Sequence, residues 1–244
     1  MKKMMCFAVV VVISTTAAAQ ETVELIQEME RQQGKEVFTV LKSDRKIKHG
    51  PYKKLNFLSQ VTATGYYKDN KKDSTWEQFN VRGGVVFRGN YVNDEKAGVW
   101  EYYLLNDELE QKYDHTEQKL IYFKAPRAEA KWKVYQGNDT ILTTLDQPPL
   151  LIGGNYVVQN TLLRNLRYPH DAIDKKKMGT VVIGFDVNAD GSVSNYIVRH
   201  SVFRSLDQEA LRVIKLVPHQ WLPGIKDGQK VKVQMLQPVV FRME

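Results

Sequence analysis

Side chains capable of chemistry are sparse in this chain and badly placed for it. The five histidines, His49, His115, His170, His200 and His219, share no metal-ligand spacing, and no nucleophile triad, phosphate-binding loop or dinucleotide fingerprint is present. Asn188-Ala189-Asp190-Gly191 begins like a calcium loop, but the later oxygen ligands are missing, so it reads as a tight turn. The only cysteine, Cys6, lies in an apolar N-terminal run, which leaves no disulfide, thiolate nucleophile or cysteine-held zinc for the rest of the chain. No catalytic, metal-binding or cofactor residue is assigned, no cofactor is expected, and the expectation is a protein that is not an enzyme. A docking surface is expected instead of an active site, and an edge strand is one element that offers unpaired backbone groups to another chain.

The elements that would present such an edge can be read from composition and pattern. A chain of 244 residues, 43% hydrophobic and 10% aromatic, is long enough for one or two packed domains. Lys2 and Lys3 precede an apolar run from Met4 to Ile13 and then Ser14-Thr15-Thr16-Ala17-Ala18-Ala19, the layout of an export signal over 1–19, cleaved near Ala19. The rival is a retained anchor, but Met4 to Ala19 falls short of the roughly 20 residues a spanning helix needs. The net charge of +7 becomes +5 without Lys2 and Lys3, and the excess lies late in the chain: residues 150–244 hold 13 basic and 8 acidic side chains, whereas 21–149 hold 20 of each. In an exported protein a basic domain suits acidic protein segments or lipid headgroups, and no nucleic-acid partner is expected.

A period of 24 organises residues 20–124. Gly65-Tyr66-Tyr67-Lys68-Asp69-Asn70 matches Gly89-Asn90-Tyr91-Val92-Asn93-Asp94, Trp76-Glu77-Gln78-Phe79 matches Trp100-Glu101-Tyr102-Tyr103, and Lys48 to Tyr52 precedes them in the same phase. Each unit reads as a β-hairpin whose rings stack on those of the next, with Asn70 and Asp94 supplying the left-handed turn. Two strands per unit give roughly 10 Å of rise. Val37 to Leu41 is expected as a strand at one end, and a degenerate hairpin, 111–114 with 120–123, caps the other. These units resemble the MORN-type repeats of exported Bacteroidetes proteins, with Ser74 where Gly50 and Gly98 stand and the usual turn glycine replaced. Residues 125–147 lose the period and read as an irregular linker. Pro148-Pro149 and Gly153-Gly154 open a second domain, 148–244.

In that second domain Val158, Leu162 and Leu166 mark a first helix, which Tyr168-Pro169 interrupts, and 171–177 forms a further turn. Val181, Ile183, Phe185 and Val187 alternate as a strand that runs through Asn188–Gly191 into a returning strand, 193–201. Ser205 and Gln208 read as a capping box for a helix with Leu206, Ala210, Val213, Ile214 and Val217 on one face. The last strand puts Val231, Val233, Met235, Val239, Phe241 and Met243 on one side. Lys230, Lys232, Gln234 and Arg242 lie on the other. Pro238, with no N–H, marks this strand as an edge. The fold class is therefore a mainly β platform of hairpin repeats followed by an α+β domain, two helices packed on a three-stranded antiparallel sheet.

Gly153-Gly154, Tyr168-Pro169, Gly179-Thr180-Val181, Asp190-Gly191-Ser192-Val193, Leu206 to Leu211, Pro218, Trp221 with Pro223-Gly224, and Pro238 with Phe241 stand in the order and spacing of one family. Residues 148–244 resemble the TonB C-terminal domain, in its Bacteroidetes form. The resemblance implies a periplasmic domain that captures the TonB box of an outer-membrane transporter by adding it as a strand to its own last strand. It assigns the pairing edge to Gln229, Lys230, Val231, Lys232, Val233, Gln234, Met235 and Leu236, flanked by Asn165, Leu166, Arg167 and Tyr168. It also raises proton-driven motor proteins of the inner membrane as partners, and the free edge raises a homodimer. A working transducer of this family has a membrane helix and a long proline-rich spacer. Here the apolar run is short, it lacks a histidine, and the eight prolines are scattered. Three functions are thereby open: a periplasmic TonB-like protein that binds transporters in support of energised transport, a periplasmic adaptor with no role in energy transduction, and a membrane-anchored transducer.

Overall fold

Tight turns with two consecutive residues at positive φ, Asp69-Asn70 and Asn93-Asp94, set the geometry of the N-terminal part of the computed structural model, which describes residues 9–10, 21–29, 34–126, 130–137 and 139–243. Asn and Asp tolerate that conformation, and its twist matches that of the strands it joins. The chain divides into two compact units, Met1–Phe123 and Lys124–Glu244. The first is an antiparallel meander in which each strand pairs with its neighbour in sequence: β1 (Val9–Val10), β2 (Thr22–Glu28), β3 (Lys35–Leu41), β4 (Lys48–Leu55), β5 (Val61–Lys68), β6 (Lys71–Phe79), β7 (Val85–Val92), β8 (Glu95–Tyr103), β9 (Leu109–Asp114) and β10 (Lys119–Phe123). The expected strand at Val37–Leu41 and the degenerate hairpin are β3 and β9–β10; β2 had no signal in the period. Of the expected export signal only Val9–Val10 is described, and the rest, including Cys6 and Ala19, lies outside the described residues.

The period of 24 is a repeat of contacts. The indole N–H of Trp76 donates to the Tyr66 carbonyl at 3.1 Å and that of Trp100 to the Asn90 carbonyl at 3.0 Å. Each indole lies on the glycine across from it, since a Cβ on Gly65 would come within 2.2 Å of Trp76 and one on Gly89 within 2.3 Å of Trp100. Tyr91 meets Trp76 and Trp100 edge-on, with ring centroids 6.0 and 5.0 Å apart. Adjacent hairpins are stapled at their turns. Asn70 accepts from the Lys48 N–H and donates its own N–H to the Lys48 carbonyl, and Asp94 treats Lys72 in the same way. Lys48, Lys72 and Lys96 roof the stack, with ammonium groups 4.3, 4.5 and 4.3 Å from the ring centroids of Phe38, Trp76 and Trp100. Burial lowers the Lys96 ammonium to about 8.

The second unit begins before residue 148. The stretch 125–147, expected to be irregular, holds a hairpin of β11 (Trp132–Gln136) and β12 (Asp139–Thr143). After β13 (Leu150–Leu151) come α1 (Gly154–Asn165), α2 (His170–Asp174), β14 (Gly179–Val187), β15 (Val193–His200) and α3 (Arg204–Ile214). The chain ends through β16 (Trp221–Leu222), β17 (Gly224–Lys226), β18 (Gln229–Val231) and β19 (Val233–Phe241). The main sheet has the order β12-β11-β19-β14-β15, five strands where three were expected. Helices pack on the face carrying Val181, Ile183, Phe185, Val187, Val239 and Phe241, against Leu206, Ala210, Val213 and Ile214. The anticipated capping box is absent. Arg204 already opens α3, Phe203 precedes it with no side-chain cap, and the Asp207 carboxylate reaches back to accept from the Val202 N–H and the Ser201 hydroxyl.

Candidate functional site

A sheet edge offers partners only those N–H and C=O groups that its neighbours leave unpaired. Along its whole length β19 pairs with β14, from Val233 opposite Val187 to Phe241 opposite Gly179. Its other side is taken at one end by β11, which sets Lys133 opposite Gln234 and Val134 opposite Val233, and the Tyr135 N–H donates to the Lys232 carbonyl at 3.0 Å. Backbone groups alternate in direction along a strand. That bond therefore assigns the outward row to Lys232, Gln234, Leu236, Pro238 and Val240. β11 occupies the first two places, and Leu236, Pro238 and Val240 form an open margin. Pro238 stands where a missing N–H costs no bond of the ladder. The Leu236 and Val240 side chains are 58% and 44% exposed beside it.

The expected pairing edge, Gln229 to Leu236, is distributed over three settings. Gln229, Lys230 and Val231 form β18 and pair with β17 in a separate short hairpin. Lys232, Val233 and Gln234 face the chain's own β11. Met235 packs towards the core, and of the original set only Leu236 opens the free margin. The break falls at Lys232 because its ammonium is drawn to Asp186, a fully buried carboxylate on the sheet face away from the helices, at 3.0 Å. Tyr135 Oη donates to the same carboxylate at 2.9 Å and Asn195 Nδ2 at 2.8 Å. Burial works against the Asp186 charge, but these bonds prevail and hold the carboxyl below its usual range. Sequence reasoning missed Asp186, although an acid inside the otherwise apolar Val181–Val187 run is the signal that marks it.

Of Asn165, Leu166, Arg167 and Tyr168, Tyr168 reaches the opposite end of β19 at Phe241, roughly 26 Å along the strand from Val233. Asn165 and Arg167 are bound through their backbone to α3, and the Leu166 N–H donates to the Leu162 carbonyl at 2.8 Å. Arg212 donates to the Asn165 carbonyl at 2.6 Å, and the Arg167 N–H donates to Glu209 Oε1 at 2.7 Å. Burial opposes the Glu209 charge, yet Arg212 and the Arg167 N–H hold its carboxyl below the usual range. Leu166 packs on the core, and the Tyr168 ring meets Phe241 edge-on at 5.7 Å, with its hydroxyl donating to the Lys177 carbonyl at 2.6 Å. The two expected groups therefore bracket the open margin without meeting each other. Tyr168 borders it at Phe241, and β11 borders it at Gln234.

Residues 164–243 match the family model described as Gram-negative bacterial TonB protein C-terminal, so this stretch carries a TonB C-terminal domain. Among solved structures, the chain is similar to the NMR solution structure of the Helicobacter pylori TonB C-terminal domain. The identity is 27% over 36% of this chain and 81% of that one, with a TM-score of 0.28. No curated protein matches the chain. No helix among the described residues is long and apolar enough to cross a membrane.

Proposed function

We propose that this is a TonB-like protein of the periplasm whose C-terminal unit takes up an extended segment of an outer-membrane transporter, its TonB box, by strand addition. The observation that carries this reading is the outward row at Leu236, Pro238 and Val240, which no strand faces among the described residues, within a domain of the TonB C-terminal type. The margin offers the N–H and C=O of Leu236 and Val240, while the Pro238 carbonyl accepts from Gln237 Nε2 at 3.3 Å. At about 1 kcal/mol net per hydrogen bond, it suits weak, reversible capture. Arg242 at one end and Lys133 at the other, on an excess of basic residues, favour an acidic segment. A set of synthetic box peptides, N-methylated at every second residue in one phase or the other, tests the pairing. One phase should abolish the shift of the Leu236 and Val240 amide signals, and the other should leave it intact. Equal binding in both phases rules out strand addition.

A second reading, an adaptor without energy transduction, draws on the first unit. Three of its loops opposite the left-handed turns close in the same way, through Asn56 N–H to Gln60, Asn80 N–H to Gly84 and Leu104 N–H to Glu108. They present Phe57, Val81 and Leu105, spaced 24 apart, at 73%, 72% and 56% exposure. In this reading the row of apolar tips holds a second protein while β19 holds the first.

A further inference from the structure

The β11–β12 hairpin sits on the row of backbone groups that strand addition uses, and its backbone pairing there is short, with the fully buried Val134 as its one core residue among those described. It meets β19 at two register positions, against nine for β14. β12 has only β11 as a neighbour in the sheet, and Leu142 on it is 71% exposed. Beyond β12 the chain is pinned again by the Asp146 and Gln147 N–H groups, which both donate to the Ile225 carbonyl at 2.9 and 3.3 Å, so residues 132–143 can leave without disturbing the chain beyond them. The side-chain latch is Tyr135, whose hydroxyl donates to Asp186 and accepts from Gln234 Nε2 at 3.3 Å, under the Lys232 ammonium 4.5 Å from its ring. Release does not strand the buried charge. Asn195 belongs to β15 and Lys232 immediately precedes β19, so Asp186 keeps both partners once the hairpin is gone.

We propose that the β11–β12 hairpin is a resident competitor for the edge of β19: it shields Lys232 and Gln234, and a longer incoming strand must displace it. Closed, the row offers two N–H donors, those of Leu236 and Val240. Open, it offers four. The chemistry of the resident also specifies the preferred visitor, an extended segment with a tyrosine or another hydrogen-bond donor in the place of Tyr135, directed at Asp186. Binding is then linked to opening, and the apparent affinity is scaled by the open fraction. This inference rests on strand addition as the mode of binding.

Two measurements test it. In the unmodified chain, the Tyr135 amide should exchange with solvent at least about tenfold faster than that of Ile183, through an opening confined to the hairpin. In a Val134→Cys/Val233→Cys chain, these facing residues form a disulfide on oxidation; the probe is a labelled synthetic peptide with the sequence of residues 131–136. On addition of the peptide the amide signals of Lys232 and Gln234 should shift in the reduced chain and stay unchanged in the oxidised chain. Tyr135→Phe in the whole chain should strengthen binding about tenfold, the effect of losing one hydrogen bond to a charged group. A Tyr135 amide as protected as that of Ile183, or an oxidised chain whose Lys232 and Gln234 amides still respond to the peptide, overturns the proposal. No transporter segment is used, so this failure is distinct from failure of the open margin to bind one. If the double variant does not fold, amide exchange in the unmodified chain decides alone.

Discussion

The two units solve one problem, closing the hydrogen bonds of a sheet, by opposite routes. In the N-terminal unit every strand pairs with its neighbour in sequence, and the aromatic contacts recur one repeat further on. In the C-terminal unit β19 is flanked by strands from far earlier in the chain, and the Tyr135–Gln234 bond spans 99 residues. Local closure makes a regular platform whose parts are interchangeable. Non-local closure makes a unique edge, partly sealed and partly open.

The contrast can be tested at its strongest point first. Trp100 is fully buried among Tyr91, Phe87, Tyr102 and His115, so Trp100→Ala should cost about 3–5 kcal/mol, measured by denaturant unfolding. Amide exchange should then accelerate on β7–β9 while β14 keeps its protection; equal loss in both units would break the distinction. Lys232→Met should cost about 2 kcal/mol, since it takes one charged hydrogen bond from buried Asp186, and the loss should appear in the C-terminal unit alone.

A smaller effect concerns pH. Burial first, and then the neighbouring Lys96 charge, lower the His115 imidazolium to about 4 from 6.5. In the folded unit the ring stays neutral while the unfolded chain takes a proton, so stability is fully present above pH 6.5 and declines as pH falls from 6.5 to 4. His115→Gln should flatten that part of the urea midpoint profile; an unchanged slope would remove His115 as its cause. The smallest effect is expected at Arg88, half-exposed and 2.6 Å from Glu101, where Arg88→Ala should cost below about 1 kcal/mol.

Much of this architecture was legible in the amino-acid order. The Gly65/Trp76 and Gly89/Trp100 spacing fixes which residues face each other, because both members of each contact lie in one hairpin. Val181 to Val187 and the α3 face from Leu206 to Ile214 were equally plain, since burial on one side imposes period 2 on a strand and 3.6 on a helix. The capping box failed because Ser205 and Gln208 both lie inside the helix rather than at its entry, and Asp207 supplies the carboxylate that the local chain bonds instead. The strand 132–136 escaped notice because so short a segment, with a lysine inside it, carries little alternation to read.

What the residues in their order determined by themselves is the inventory: hairpins in phase, two amphipathic helices, a last strand with a proline at its margin. Each of these depends on interactions within a few residues or one repeat, and so each leaves a pattern. Which part of the last strand stays open was decided only in three dimensions. Pairing between β11 and β19 leaves no periodic trace, and its anchor at Asp186 draws on Tyr135, Asn195 and Lys232, residues brought together by the sheet rather than by their spacing in the chain.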